Sequence, residues 1–191
     1  MEYYDNIDCI SPEKVAFNKK LVKKYPFLVI DGLNPEEGTW RDNIPMGWEH
    51  LFDLMCEKLL EEIEDTDMFE TFRFEEVKEK FGELRIYSDG GNEETDRIID
   101  EWSFLSGYIC ENCGNPVVRV TTGWISPVCF DCWSKYNSHE YNRYIQKTNP
   151  VHYPPVMKII KYRSSYKEDL EIDLSEEYQR LLDDWNEEVE R

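Results

Sequence analysis

Between residues 47 and 64 the apolar side chains Trp48, Leu51, Phe52, Met55, Leu59 and Ile63 recur at steps of three and four. That period predicts an amphipathic helix, with Glu57, Glu61, Glu62 and Glu64 on its other face. Farther on the period changes. Phe72 and Phe74 flank Arg73, and Leu84 and Ile86 alternate with Arg85 and Tyr87. Alternation of this kind predicts two strands, joined near Phe81-Gly82. Ser88 to Asn92 ends the second strand. Asn92 or Thr95 then caps a helix to about Tyr108 that turns Ile98, Ile99, Trp102 and Leu105 inward.

The flanking segments read less sharply. Ser11-Pro12 opens a helix to about Lys24, with serine as cap and proline at the first helical position. Phe27 to Ile30 is short, apolar and β-prone, Asp31-Gly32 turns the chain, and 34–46 reads as loop. Val117 to Trp124 suggests a short hairpin, and 130–146 a helix. The prolines at 150, 154 and 155 make 147–155 an extended loop, and Val156 to Tyr162 a strand. Ser175 caps a last acidic helix to about Glu190, with Leu181, Leu182, Trp185 and Val189 as its apolar stripe.

Hydrophobic residues make up 40% of the 191, enough for a packed core. Met1 to Cys9 is acidic and lacks the apolar core of a signal peptide, and no stretch reaches the length of a membrane span. The expectation is a bacterial cytoplasmic protein with reduced cysteines. The net charge of −19 is uneven. Residues 51–105 carry −12 and 166–191 carry −8, whereas 106–165 carry +4.

The strongest chemical signal lies in that basic segment. Cys110 and Cys113 form one C-x-x-C pair, Cys129 and Cys132 another, with fifteen residues between the pairs. Each tight turn aims two sulfurs at one point, and two turns supply the four thiolates of a structural zinc site. Gly114 suits the sharp bend after the second ligand. One structural Zn2+ is expected, with iron, a redox dithiol or paired disulfides as alternatives. A four-cysteine site has no open position for a catalytic water. A knuckle, a hairpin and then cysteines at a helix start is the treble-clef order, and a zinc ribbon is the alternative. The fold class expected is α+β, a helix–hairpin–helix core with a four-cysteine zinc module. The chain divides into a 1–46 extension, a 47–108 acidic core, a 109–146 zinc module and a 147–191 tail. Cys56, on the apolar stripe, reads as a core residue.

Three passages carry a resemblance. Gly47-Trp48 with Leu51 and Cys56, then Val77-Lys-Glu-Lys-Phe-Gly-Glu-Leu-Arg-Ile-Tyr87, then Cys110-Glu111-Asn112-Cys113-Gly114, resemble a group of small uncharacterised phage and prophage proteins. The resemblance covers roughly residues 47–133. Members of the group tend to carry a second glycine where this chain has Glu83. The resemblance implies phage origin and a zinc-bearing α+β module, and it supplies no catalytic residue.

Catalytic signatures are not evident. His50 follows Glu49 without the second histidine of a zincin, and segment 115–128 lacks the histidine of a His-Asn-His nuclease. Walker A, Rossmann and nucleophile-elbow patterns do not occur. The reading is a non-catalytic protein that binds a basic surface on a host protein, such as a defence or nucleic-acid-handling enzyme, with carboxylates imitating phosphate. Its candidate contacts are Glu57, Glu61, Glu62, Glu64, Asp65 and Asp67, and on the last helix Asp183, Asp184, Glu187 and Glu188. The alternative is a nucleic-acid-binding zinc module using Arg119, Lys135, Arg143 and Lys147 with Trp124, Trp133 and Tyr136. The overall acidity opposes it. The hairpin cations Lys78, Lys80 and Arg85 are expected to pair with neighbouring acids such as Glu79 and Glu83.

Overall fold

A computed structural model of the chain describes residues 10–117, 119–121, 125–136, 148–150, 156–160 and 169–189. Helix α1 spans Pro12–Lys24. Ser11 caps it as expected, its Oγ accepting the Lys14 N–H at 3.2 Å. The Tyr25 N–H closes the last turn on Leu21 O at 2.8 Å, and Pro26 ends the helix.

The β-prone run that follows is not a strand. Pro26–Leu28 forms a single 3-10 turn. Proline fixes the first φ, and the Leu28 N–H returns to Tyr25 O at 3.1 Å. Phe27 and Leu28 are both buried, so the run meets its need for burial without a strand partner. The expected loop likewise holds two 3-10 turns, Trp40–Asn43 and Met46–Trp48. The first is closed by a reciprocal cap between Thr39 and Asp42. The second leads into α2, Glu49–Ile63, whose predicted stripe is entirely buried.

A short helix α3, Met68–Thr71, precedes the hairpin of β1, Arg73–Lys80, and β2, Glu83–Asp89. The antiparallel register pairs Val77 with Ile86 and Lys80 with Glu83, with a bulge between Phe74 and Glu76. Two residues therefore make the turn, Phe81 at φ +57° and Gly82 at φ +79°. Paired positive φ values are the signature of a type I′ turn, whose twist matches that of the strands. The Glu79 carboxylate accepts the Gly82 N–H at 2.7 Å. Helix α4, Glu93–Ser106, is capped reciprocally. Asn92 Oδ1 accepts the N–H groups of Glu94 and Thr95, and Thr95 Oγ1 accepts the Asn92 N–H at 2.8 Å.

Helices α2 and α4 pack together, and α4 lies against β2. Their apolar faces join Phe72, Phe74, Val77 and Leu84 in one core. Tyr25, Phe27 and Leu28 extend that core toward the N-terminus, and Leu174, Tyr178 and Leu181 bring in the C-terminal part of the chain. Tilted and edge-on rings link Phe27, Phe72 and Phe74 at centroid distances of 5.1 to 5.7 Å.

After the first cysteine pair comes the short strand β3, Arg119–Thr121, followed among the described residues by three further strands and two helices. Much of the hairpin expected at 117–124 lies outside the described residues. β3 runs antiparallel to β4, Thr148–Pro150, which lies in the expected loop. Helix α5 is described over Phe130–Tyr136, and the rest of the helix expected to 146 lies outside the described residues. β5, Val156–Ile160, pairs antiparallel with β6, Asp169–Asp173. The last helix, α6, is Ser175–Val189. Its cap differs from expectation. Ser175 is already helical, and the Asp173 carboxylate accepts the Ser175 N–H at 3.0 Å and its hydroxyl. Those bonds hold the Asp173 carboxyl below its ordinary pKa. The chain is thus α+β, with two-stranded sheets among helices. No helix among the described residues is long and apolar enough to cross a membrane.

Candidate metal centre

The first knuckle is built by backbone bonds that close the loop between Ile109 and Pro116, which form an antiparallel bridge. The Cys110 N–H bonds Asn115 O at 2.8 Å, and the Gly114 N–H returns to Cys110 O at 2.9 Å. Gly114 adopts φ +75°, the bend its position predicts. The second knuckle sits at the start of α5. There the Cys132 N–H points at Cys129 Sγ, 3.5 Å away.

All four sulfurs lie within 4.8 Å of one another. Cys113 Sγ and Cys129 Sγ are 3.5 Å apart. A disulfide would bring sulfurs to about 2.05 Å. A tetrahedral ion with bonds of about 2.3 Å sets its sulfurs about 3.8 Å apart. The spacing therefore fits four separate thiolates around one metal ion, and the five described cysteines are free of disulfides. Cys110, Cys129 and Cys132 are buried, with Val117 and Val128 beside them and Trp133 packed on the cluster. Burial first, then hydrogen bonds and charge from the other sulfurs, pushes the Cys132 thiol well above its ordinary pKa. A divalent cation reverses that preference by stabilising the thiolates.

The core holds this centre directly. The Trp48 Nε1–H donates to Ile109 O at 2.9 Å, and the Gly47 N–H donates to Glu111 O at 2.8 Å. A Cβ at position 47 would lie 2.1 Å from Cys110 O and 2.7 Å from Cys113 N. Only glycine lets the start of α2 approach the knuckle so closely. A Cβ at position 82 would lie 2.9 Å from Ile125 Cγ2, so the hairpin turn rests on the approach to the second knuckle. The knuckles join each other through the Glu111 N–H, which bonds Pro127 O at 3.0 Å, and through the Ser126 hydroxyl, which donates to the Glu111 carboxylate. Burial, aided by the nearby charge of Glu79, raises the Glu111 pKa against the lowering effect of Ser126.

The acidic candidates are dispersed more than their spacing suggested. Glu57 pairs with Lys24 at 3.1 Å, and Glu62 accepts from Asn92 Nδ2 at 2.9 Å. Glu64, Asp65 and Asp67 are exposed around the end of α2. On α6, Asp183 accepts from Gln179 at 2.9 Å, and Asp184 lies 3.9 Å from Arg180. The side chains of Glu187 and Glu188 lie outside the described residues. Spacing did not reveal a cleft of about 320 Å³ where α2 and α6 meet. Glu57, Lys58 and Glu61 face Glu176, Glu177 and Arg180 across it, over Leu54, Trp102 and Leu181. Glu176 and Glu177 were not among the sequence candidates. Of the hairpin cations, Arg85 pairs with Glu83 at 2.7 Å as expected. Lys78 bonds Glu76 at 2.6 Å, and Lys80 lies over the Phe81 ring. Cys56 is fully buried in α2, and burial drives its thiol pKa well above the ordinary value. Of the nucleic-acid candidates, Trp133 is partly buried on the cysteine cluster. Trp124, Arg143 and Lys147 lie outside the described residues, as do the side chains of Arg119, Lys135 and Tyr136.

No known family model, curated protein or solved structure matches the chain.

Proposed function

We propose that this chain is a non-catalytic, zinc-stapled acidic protein that acts by binding a basic surface of a partner protein in the bacterial cytoplasm. A host defence or nucleic-acid-handling enzyme fits as target, since such enzymes carry cationic surfaces made for phosphate. The observation that carries the reading is the cleft between α2 and α6. Two acidic runs far apart in sequence contribute Glu57 and Glu61 from one side and Glu176 and Glu177 from the other. Carboxylates outnumber cations there, above an apolar floor, and this is the chemistry that receives a lysine or arginine of a partner. The phage resemblance of residues 47–133 supports the biological setting.

Zinc is the metal that best suits four cysteine sulfurs in two knuckles. When bound it supplies a closed tetrahedral clip and no Lewis-acid position. Cys110, Cys113, Cys129 and Cys132 would hold it. The order of first knuckle, β3, and second knuckle at the start of α5 favours a treble clef over a ribbon.

The test is affinity capture from host lysate at low salt, comparing the native chain with a variant carrying Glu57→Gln, Glu61→Gln, Glu176→Gln and Glu177→Gln. A specific partner should be recovered by the native chain and lost with the variant or at high salt. Equal recovery by both proteins removes the cleft from the binding surface. Turnover of a substrate by the purified protein would overturn the non-catalytic reading.

A further inference from the structure

Three segments that each carry an exposed apolar side chain meet at the first knuckle. Met46 is 70% exposed, Phe81 67% and Ile125 38%. The contacts that bring them together are specific. Gly47, next to Met46, donates its N–H to Glu111 O. Ser126 and Pro127, next to Ile125, bond the Glu111 carboxylate and N–H. Gly82, next to Phe81, packs on Ile125 itself. The elements meeting there are distant in sequence, so the clustering is a product of the fold.

Phe81 is the most informative member. A bulky side chain at φ +57° is strained, and asparagine would suit the turn better. Exposure costs the ring a second time, since it leaves apolar surface in water. Lys80 over the ring offsets only part of these costs. Two carboxylates border the same segments, Glu79 accepting the Gly82 N–H and Glu111 the Ser126 hydroxyl. Among the described residues neither is in an ion pair with lysine or arginine. The cations nearest in sequence are otherwise engaged, Lys78 with Glu76 and Lys80 over the Phe81 ring.

From this juxtaposition we infer that the knuckle face formed by Met46, Phe81, Ile125, Glu79 and Glu111 is a docking surface for a protein segment that presents an arginine or lysine flanked by apolar side chains. The two carboxylates take the cation, and the three apolar groups take its neighbours. A second copy of this chain fits poorly, because its charge of −19 would repel an identical surface. The inference deepens the proposed function by adding a second contact face. It rests on the basic character of the partner, and not on the α2–α6 cleft.

The experiment uses the full-length, metal-loaded chain labelled with 15N. It is titrated with a short capped peptide holding one arginine between leucines, and with the same peptide carrying uncharged citrulline. Amide shifts should move at Gly82, Glu111 and Ser126, and citrulline should weaken binding about tenfold, as loss of a charge-assisted hydrogen bond does. Phe81→Asn should also weaken binding about tenfold while leaving the melting temperature unchanged or higher, because asparagine accepts the turn geometry. That pairing separates a docking role from a structural one. Equal affinity for the two peptides overturns the inference, as does native affinity in Phe81→Asn. Shifts confined to α2 and α6 would overturn it while supporting the cleft. Shifts at the knuckle that survive the four cleft substitutions would support it whatever becomes of the cleft.

Discussion

The α+β core and the cysteine knuckles are held by different physics. Among the described residues the core cluster contains 22 buried side chains, from Tyr25 to Leu181, whereas the knuckle cluster contains five, three of them cysteines. Apolar burial contributes about 25 cal/mol for each Å² removed from water, so among the described residues the core carries most of that driving force. Four convergent sulfurs supply the means for a cross-link between the two knuckles. The two regions are nevertheless not independent. Gly47 and Trp48 tie the first knuckle to α2, and Gly82 seats the hairpin on the second. The difference teaches that the core braces a cysteine cluster whose own cohesion a bound metal ion would supply.

The largest expected effect comes from removing the metal. Structural zinc contributes about 10–16 kcal/mol of apparent binding free energy near pH 7 in small zinc modules. A strong chelator should therefore unfold the knuckles while α2, the hairpin and α4 persist. Hydrogen exchange is the measurement. Amides of Cys110, Gly114 and Trp133 should lose protection, and those of Leu59, Leu84 and Leu105 should keep it. Acidification should act in the same direction, because protonated thiols release the ion. Elemental analysis that finds no metal in freshly purified protein, or knuckle amides that stay protected in chelator, would break the comparison.

Next in size is Gly47→Ala. A methyl group at 2.1 Å from Cys110 O cannot be accommodated unless α2 and the knuckle separate. The cost should reach about 3 kcal/mol or more, at the upper end of overpacking effects. It should be accompanied by faster metal loss to a chelator. A variant with native stability and native metal retention would mean that the two regions are not in contact there.

Trp48→Phe should be milder, about 1–3 kcal/mol, because Ile109 O loses its indole donor in a buried position. The same substitution made in chelator-treated protein sharpens the point. If Trp48 works by joining the two regions, its effect should shrink once the knuckles have unfolded, and denaturant melts of the four samples measure that coupling.

How much of this was legible follows the same division. The helix stripe of α2, the Phe81-Gly82 turn, the Asn92 cap and the four cysteines are local patterns, each readable within a few residues. Phe27–Ile30 misled because an apolar run asks for burial without specifying the backbone, and Pro26 decided it. The alternation of Leu170 and Ile172 with acids was a strand signal, and so was the Thr39–Asp42 spacing for a cap. Neither was used. The pairing of β3 with β4 and the sharing of one cleft by Glu61 and Glu177 depend on how distant segments pack, and no local period encodes that. The role of Gly47 belongs to the same class, since nothing in its neighbours announces a carbonyl 2.1 Å from its missing Cβ.

The smallest effect concerns Glu101 of α4, the residue before Trp102 of the α2–α6 cleft. Its residue is buried, and Arg97 donates to its carboxylate. Burial raises its pKa, with Glu177 and Glu94 adding to the rise and Arg97 opposing it. The folded protein therefore holds this proton more tightly than the unfolded chain, whose glutamate titrates near 4.5. The stabilising contribution is fully present below that value and is lost as pH rises through the folded pKa. At neutral pH the ionised group works against folding, because its partner Arg97 is itself substantially exposed and compensates weakly. Glu101→Gln should consequently leave stability at pH 7 unchanged or raise it by up to about 1 kcal/mol. The variant should also be less stabilised by acid than the native chain between pH 4.5 and neutrality. Parallel urea melts across that range decide the sign. A native-like pH slope in the variant would show that the Glu101 proton is not linked to folding of the core.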